Sequence, residues 1–299
     1  MKGHKKTGIF LAILAAALYA LNSPLSKLLL ELVPPVLMAG LLYIGAGIVM
    51  GAVSLIKKAA KKPASETPLT RSDLPYTLAM IVLDIAAPIF LMIGLNSTTA
   101  ANASLLNNFE IVATALVALV IFKESISPRL WAGILFVTLS CAILSFENLT
   151  SFSFSYGSLF ILLATLCWGI ENNCTRRLSD KDPMQIVTLK GIFSGLGSLT
   201  IGLCIGERIE KLWSILAVIL VGFVAYGLSI FFYVHAQRSL GAARTSAYYA
   251  IAPFIGVLLS LIIFSDMPKY TFYIALALMA VGAFLSANDE PIFKRKSKK

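Results

Sequence analysis

The sequence predicts an all-α integral membrane protein of about ten transmembrane helices in two inverted five-helix repeats, and three observations lead there. Apolar residues make up 58% of the 299-residue chain and charged residues only 13%, with a mean hydropathy of +0.84. A soluble domain is about one quarter charged. The basic residues, which give a net charge of +10, gather in the connections and tails of one side. Finally, the second half of the chain repeats the first.

Apolar spans lie near residues 8–30, 35–56, 74–94, 99–121, 129–146, 155–176, 183–205, 212–235, 241–264 and 270–287. A crossing takes about twenty residues, so these spans fill the chain and leave no room for a large soluble domain. The first has the basic flank of a signal peptide, but its length and its place in the repeat mark it as a retained span. The connection after the second, KKAAKKPASETPLTR, is the only linker-like stretch.

With the N-terminus inside, twenty of the 25 Lys and Arg residues fall on the cytoplasmic side, from the N-tail through Lys57 to Arg71 and on to the tail Lys294 to Lys299. Three (Arg208, Lys211 and Lys269) fall outside, and Lys27 and Lys190 lie within spans. This is the positive-inside asymmetry. It places both termini in the cytoplasm, which requires an even number of crossings. It also explains the net charge without nucleic acid, and the basic tail reads first as a topology signal and second as an anionic-lipid contact.

Residues 8–34 align without gaps on residues 157–183 at an offset of 149, with Gly8 on Gly157, Tyr19 on Trp168, Lys27 on Arg176 and Pro34 on Pro183. A second block, GLNSTTAANASLLNNFEIVATALVALVIFKES, matches AQRSLGAARTSAYYAIAPFIGVLLSLIIFSDM at an offset of 142. There Ser97 meets Ser239, Ala100 meets Ala242, Ser104 meets Ser246 and Phe122 meets Phe264. The halves are 1–149 and 150–299. An odd number of helices per half inverts the second half in the membrane, a plan that places a binding site near the midplane between the halves.

Two segments carry a family resemblance. FFYVHAQRSLGAARTSAYYAIAPFIGVLLSLIIFSD, in the second half, and IFKES followed by WAG, with Glu124 and Gly133, in the first, resemble the EamA-type branch of the drug/metabolite transporter superfamily. The resemblance covers essentially the whole chain. It implies a secondary transporter working by efflux across a bacterial-type plasma membrane. One departure is that Glu110 and Ile111 stand where the second half has Ala252 and Pro253, so the first-half helix is expected to lack the proline bend.

Charge inside a bilayer costs about 3 kcal/mol or more per residue, so intramembrane ionisable groups are functional candidates. Four stand out: Asp84, Glu110, Glu171 and Lys190. Asp84 and Glu110 sit at the centres of spans three and four; on neighbouring helices the two carboxylates would share a proton. Each has a structural reading as well, as a partner for a Ser, Thr or Asn on the next helix. Glu171 and Lys190 both project to the cytoplasmic side of the midplane, which suits an ion pair, either structural or a gate. Their first-half equivalents are Asn22 and Leu41, so this feature belongs to one repeat only.

Polar and aromatic side chains at helical spacing surround these charges. They are Tyr19, Asn22, Ser23 and Lys27 in span one, Asn107 and Thr114 in span four, and Trp168, Asn172 and Asn173 in span six. Tyr226 and Tyr233 follow in span eight and Tyr249 in span nine. They read as a cavity lining, with interhelical hydrogen bonding as the plainer alternative. Gly40, Gly45, Gly47 and Gly51 in span two and Gly191, Gly195 and Gly197 in span seven allow close helix approach.

The sequence does not read as an enzyme. Its two His, His4 and His235, give a metal or nucleophile site little to work with. Cys141, Cys167, Cys174 and Cys204 form no CxxC and read as packing residues, and no Walker motif is present. No cofactor is expected. The partners expected are a small-molecule substrate and membrane lipid, with a homodimer as a further option. The function expected is secondary transport of a small polar metabolite, such as an amino acid or related compound. The rivals are an uncoupled facilitator and a non-transporting sensor or assembly protein on the same scaffold.

Overall fold

The computed structural model describes residues 2–59, 67–123, 126–148, 153–178, 181–240, 245, 248–265 and 267–287. Glu124, Ala242, Ser246 and the basic C-terminal tail lie outside the described residues. The chain runs through α1 (Lys2–Ala20), α2 (Asn22–Leu29), α3 (Pro35–Ala59), α4 (Leu74–Asn96), α5 (Ala100–Leu106), α6 (Phe109–Phe122) and α7 (Pro128–Ser145). A short hairpin of β1 (Phe146–Asn148) and β2 (Ser153–Phe154) leads to α8 (Tyr156–Arg177), α9 (Pro183–Leu189), α10 (Gly195–Cys204), α11 (Leu212–Gly222) and α12 (Ser229–Leu240). Two helices close the described chain, α13 (Ala252–Phe264) and α14 (Tyr270–Ala287).

Among the described residues, seven helical stretches are long and apolar enough to cross a membrane, and two shorter apolar helices correspond to α13 and α14. Helix α8 is 22 residues long and turns polar from Glu171 onward. Phe10, Leu55, Val120, Leu135, Leu216, Leu258 and Phe284 all point outward and are exposed. So much outward apolar surface suits hydrocarbon rather than water. This is a multi-pass membrane protein whose described spans are helical.

Local chemistry sets the helix boundaries. Proline stands in the first turn of α3, α7 and α9, where its missing N–H is no loss. Side chains of Thr99, Ser127 and Asp182 cap α5, α7 and α9 by accepting from Asn102, Leu130 and Met184 N–H groups. At their C-terminal ends, α6 and α13 stop at Lys123 (φ 54) and Ser265 (φ 53), both left-handed.

Span four has no proline bend, yet it is not continuous. Residues 107–108 break it into α5 and α6 without proline, as the bonds tighten to Asn108 N to Leu105 O, 3.2 Å, and Glu110 N to Asn107 O, 3.2 Å. Asparagine competes well with helical bonding and tolerates such turns. The second half breaks at the corresponding place, 250–251, before α13.

Helix α8 packs against both α4 and α6, α1 against α12, and α7 against α14. Helix α3 packs against α10 and α11, and also against the segment that precedes α10, so closely that a Cβ on Gly191 would lie 2.4 Å from Gly47 Cα. Two π-helical segments interrupt the regular turns, at Lys190–Ser194 between α9 and α10 and at Phe223–Leu228 between α11 and α12. Such segments commonly mark functional sites.

The turn after α10 holds the start of α3. Glu207 accepts from Val36 N at 3.2 Å and from Leu37 N at 2.8 Å, one through each carboxylate oxygen. These are orphan donors of the first helical turn. Glu207→Ala is therefore expected to cost about 1–2 kcal/mol, in the range of a lost cap, and to lower the thermal midpoint of the purified protein. An unchanged midpoint would mean that water replaces the carboxylate at no cost.

Candidate functional site

Three ionisable side chains meet in the interior. Lys190, at the start of the first π segment, sets its Nζ 3.0 Å from Glu171 Oε1 on α8 and 3.1 Å from Asp84 Oδ2 on α4. Asp84 is 0% exposed and Glu171 2%. Asp84 Oδ1 accepts from the Tyr43 hydroxyl of α3 at 3.0 Å, while Oδ2 has no aligned hydrogen bond and is held by the charge of Lys190. The Trp168 indole N–H donates to the Tyr43 oxygen at 3.5 Å, and the Thr175 hydroxyl donates to Glu171 Oε1. Two carboxylates around one ammonium leave the set with one negative charge in excess, in surroundings where unpaired charge is expensive.

Glu110 occupies a second position. It lies in the first turn of α6, where its Oε1 accepts from Asn172 Nδ2 of α8 at 2.6 Å. Asn172 Nδ2 also reaches Thr114 Oγ1 at 3.3 Å, and Asn173 Nδ2 donates to the carbonyls of Thr114 and Gly169 at 3.1 and 2.8 Å. Among the described residues no Lys or Arg pairs with Glu110.

A tyrosine cluster lies beside both. Rings of Tyr19 and Tyr226 are 5.8 Å apart, Tyr19 and Tyr249 5.8 Å, Tyr43 and Tyr226 5.3 Å, and Tyr233 and Tyr249 5.0 Å. Asn22 Nδ2 donates to the Tyr226 oxygen at 3.0 Å, and the Tyr249 and Ser229 hydroxyls lie 3.3 Å apart. Next to this cluster is a narrow crevice lined by Tyr19, Ser23, Ser104, Asn107, Pro253 and Gly256 among others. Ser104 Oγ and Asn107 Oδ1 are buried there without a hydrogen-bond partner.

The structure therefore joins Glu171 to Lys190 and gathers Tyr19, Asn22, Asn107, Trp168, Asn172, Tyr226 and Tyr249 around the interior. It does not join Asp84 to Glu110, and the expectation of a proton shared by those two is corrected. Helices α4 and α6 form no packing interface with each other; α8 packs against both, so Asp84 meets Lys190 and Glu110 meets Asn172. Lys27 is also withdrawn from the lining. Its Nζ donates to the Leu95 and Asn96 carbonyls at 2.7 and 3.0 Å, where the end of α4 leaves acceptors unfilled.

Tyr43 is the residue that sequence reading missed. It lies in a span whose glycines drew the reading towards packing, yet its hydroxyl is a rare polar group in that apolar run.

A helical membrane bundle with buried ionic and tyrosine networks defines the class of multi-pass proteins built around a polar interior. This chain belongs to the EamA-like transporter family, whose model matches residues 6–146 and 155–288. An uncharacterized transporter of Methanothermobacter thermautotrophicus is 26% identical over 294 residues, covering 93% of this chain and 85% of the relative. The uncharacterized transporter YyaM of Bacillus subtilis is 21% identical over 251 residues, covering 79% and 80%. A crystal structure that is 20% identical, with a TM-score of 0.64 and 96% of each chain covered, shares the fold.

Proposed function

We propose that this membrane transporter exports a small polar metabolite, such as an amino acid or related compound, across the plasma membrane by alternating access, coupled to protons. The observation that carries the reading is the buried set Asp84, Lys190 and Glu171, which ties the first half of the chain to the second. A single proton brings that set to neutrality, and its gain or loss changes what α4 and α8 hold between them. Charge so costly to bury is retained in membrane proteins mainly where ions or substrates pass.

The proposal includes ten crossings in two inverted repeats, 1–149 and 150–299, with both termini cytoplasmic. Helices α8, α13 and α14 add to the seven longer spans to make ten. Support for the repeat comes from the two matched stretches of the family model and from the left-handed caps Lys123 and Ser265, which stand at the offset of 142. The contacts agree: α1 with α12 corresponds to α4 with α8, and α7 with α14 corresponds to itself with the halves exchanged.

The test is uptake of a radiolabelled metabolite panel into proteoliposomes, with and without an imposed pH gradient, for the unmodified protein, Glu110→Gln and Glu171→Gln. The expected result is saturable flux that rises several-fold with the gradient, and loss of that dependence in Glu171→Gln. Absence of flux for every compound by folded protein would favour a non-transporting role on the same scaffold.

A further inference from the structure

Among the described residues the interior sets three carboxylates, Asp84, Glu110 and Glu171, against the ammonium of Lys190. Lys190 is already divided between Asp84 and Glu171. Among the described residues Glu110 has no ion-pair partner: its Oε1 accepts from Asn172, while Lys190 and Glu171, which act on it electrostatically, are bonded to each other. The Glu110 carboxylate also lies within electrostatic reach of the Tyr19, Tyr226 and Tyr249 hydroxyls.

The second observation is independent of charge. Asn107, one turn before Glu110 across the helix break, is 8% exposed, and its Oδ1 is a buried acceptor with no donor. Ser104, 3% exposed, has an equally unpartnered hydroxyl. Both residues line the crevice together with Tyr19. A buried acceptor without a partner costs about 1–3 kcal/mol, and native structures seldom leave one without a reason. A carboxylate and an amide oxygen both call for N–H donors, and a tyrosine face beside them favours a cation over an anion.

We propose that Glu110, Asn107 and Tyr19 form the subsite for a primary ammonium group, so that the compounds bound and moved are amines or amino acids rather than simple carboxylic acids. The ammonium donates to a Glu110 oxygen and to Asn107 Oδ1, and packs over the Tyr19 ring. Glu110 is the charge-matching residue, and Asn172, through its 2.6 Å bond, positions it. The inference deepens the transport reading and relies on it for movement across the membrane, but not for binding.

The test uses the purified full chain in lipid nanodiscs and two matched pairs of probes: phenethylamine against hydrocinnamate, and butylamine against valerate. Calorimetry is expected to show the amines binding at least about tenfold more tightly than the acids of the same frame, a difference of about 1.4 kcal/mol. Glu110→Gln should lose about tenfold or more of the amine affinity, Glu110→Asp should keep most of it, and Asn107→Ala should lose several-fold, with thermal midpoints showing that each variant is folded. Acids that bind as tightly as the amines, no amine binding, or folded Glu110→Gln with unchanged affinity overturns the proposal.

Counterflow separates this proposal from the transport reading. Glu110-dependent amine binding with no amine or amino acid crossing the bilayer keeps the subsite and sinks transport. Flux of an acid lacking an amine, unaltered in Glu110→Gln, keeps transport and sinks the subsite.

Discussion

Lys190→Met is expected to destabilise the protein by roughly 3–5 kcal/mol, the usual cost of removing one partner from a buried ion pair, and to abolish transport. It leaves Asp84 and Glu171, 0% and 2% exposed, facing each other without a cation. Tyr43 and Thr175 still donate one hydrogen bond to each, but neutral donors do not cancel a charge. Asp84→Asn or Glu171→Gln should cost less, because Lys190 keeps the other carboxylate. The triple variant Asp84→Asn, Glu171→Gln, Lys190→Met removes every charge of the set and should recover most of the lost stability, as neutral replacements of buried ionic sets commonly do. Thermal midpoints in detergent measure the first part and proteoliposome flux the second. Stability recovered without flux assigns the set to transport, whereas flux recovered together with stability makes it structural.

Gly191→Ala is expected to be nearly as damaging, although it adds a single methyl group. The added Cβ would stand 2.4 Å from Gly47 Cα and 2.5 Å from Gly47 N. Those are backbone atoms, so no side chain can turn aside, and α3 must move away from the π segment that carries Lys190. The cost belongs at the upper end of the overpacking range, about 3 kcal/mol or more, and because Lys190 moves with the segment, flux should fall as well. Gly47→Ala places its Cβ 2.6 Å from Ile192 N and 2.7 Å from Gly191 C at the same contact. The double variant should then cost less than the two singles added together, since either one separates the helices. Gly206→Ala is the control: nothing lies within 4 Å of its Cβ, and only the backbone strain at φ 86 remains, about 1–2 kcal/mol. Strict additivity at Gly47 and Gly191 would show that the two clashes relax separately.

Composition and periodicity determined the class of this protein. Runs of apolar residues the length of a membrane crossing need no tertiary information to be read, because the bilayer imposes length and hydropathy on each helix separately. The same holds for the candidates within the runs. Asp84, Glu110, Glu171 and Lys190 stand out because hydrocarbon makes charge rare, and depth along neighbouring helices was enough to suggest that Glu171 and Lys190 meet.

Only the tertiary structure decided which carboxylates share the lysine. Read from the sequence, Asp84 and Glu110 sit at the centres of consecutive spans, yet α8 packs against both helices and gives each a different partner. Depth and helical face follow from position in the sequence; the identity of the facing helix does not, because it depends on how the halves pack around the interior. The same reason hid Tyr43, whose hydroxyl matters only because Asp84 is brought to it, and the crevice acceptors Ser104 and Asn107, whose surroundings come from α1, α2, α5 and α13. It also hid the work of Lys27, which the sequence placed in a lining and the structure turned to the carbonyl end of α4, where unfilled acceptors outcompete a cavity.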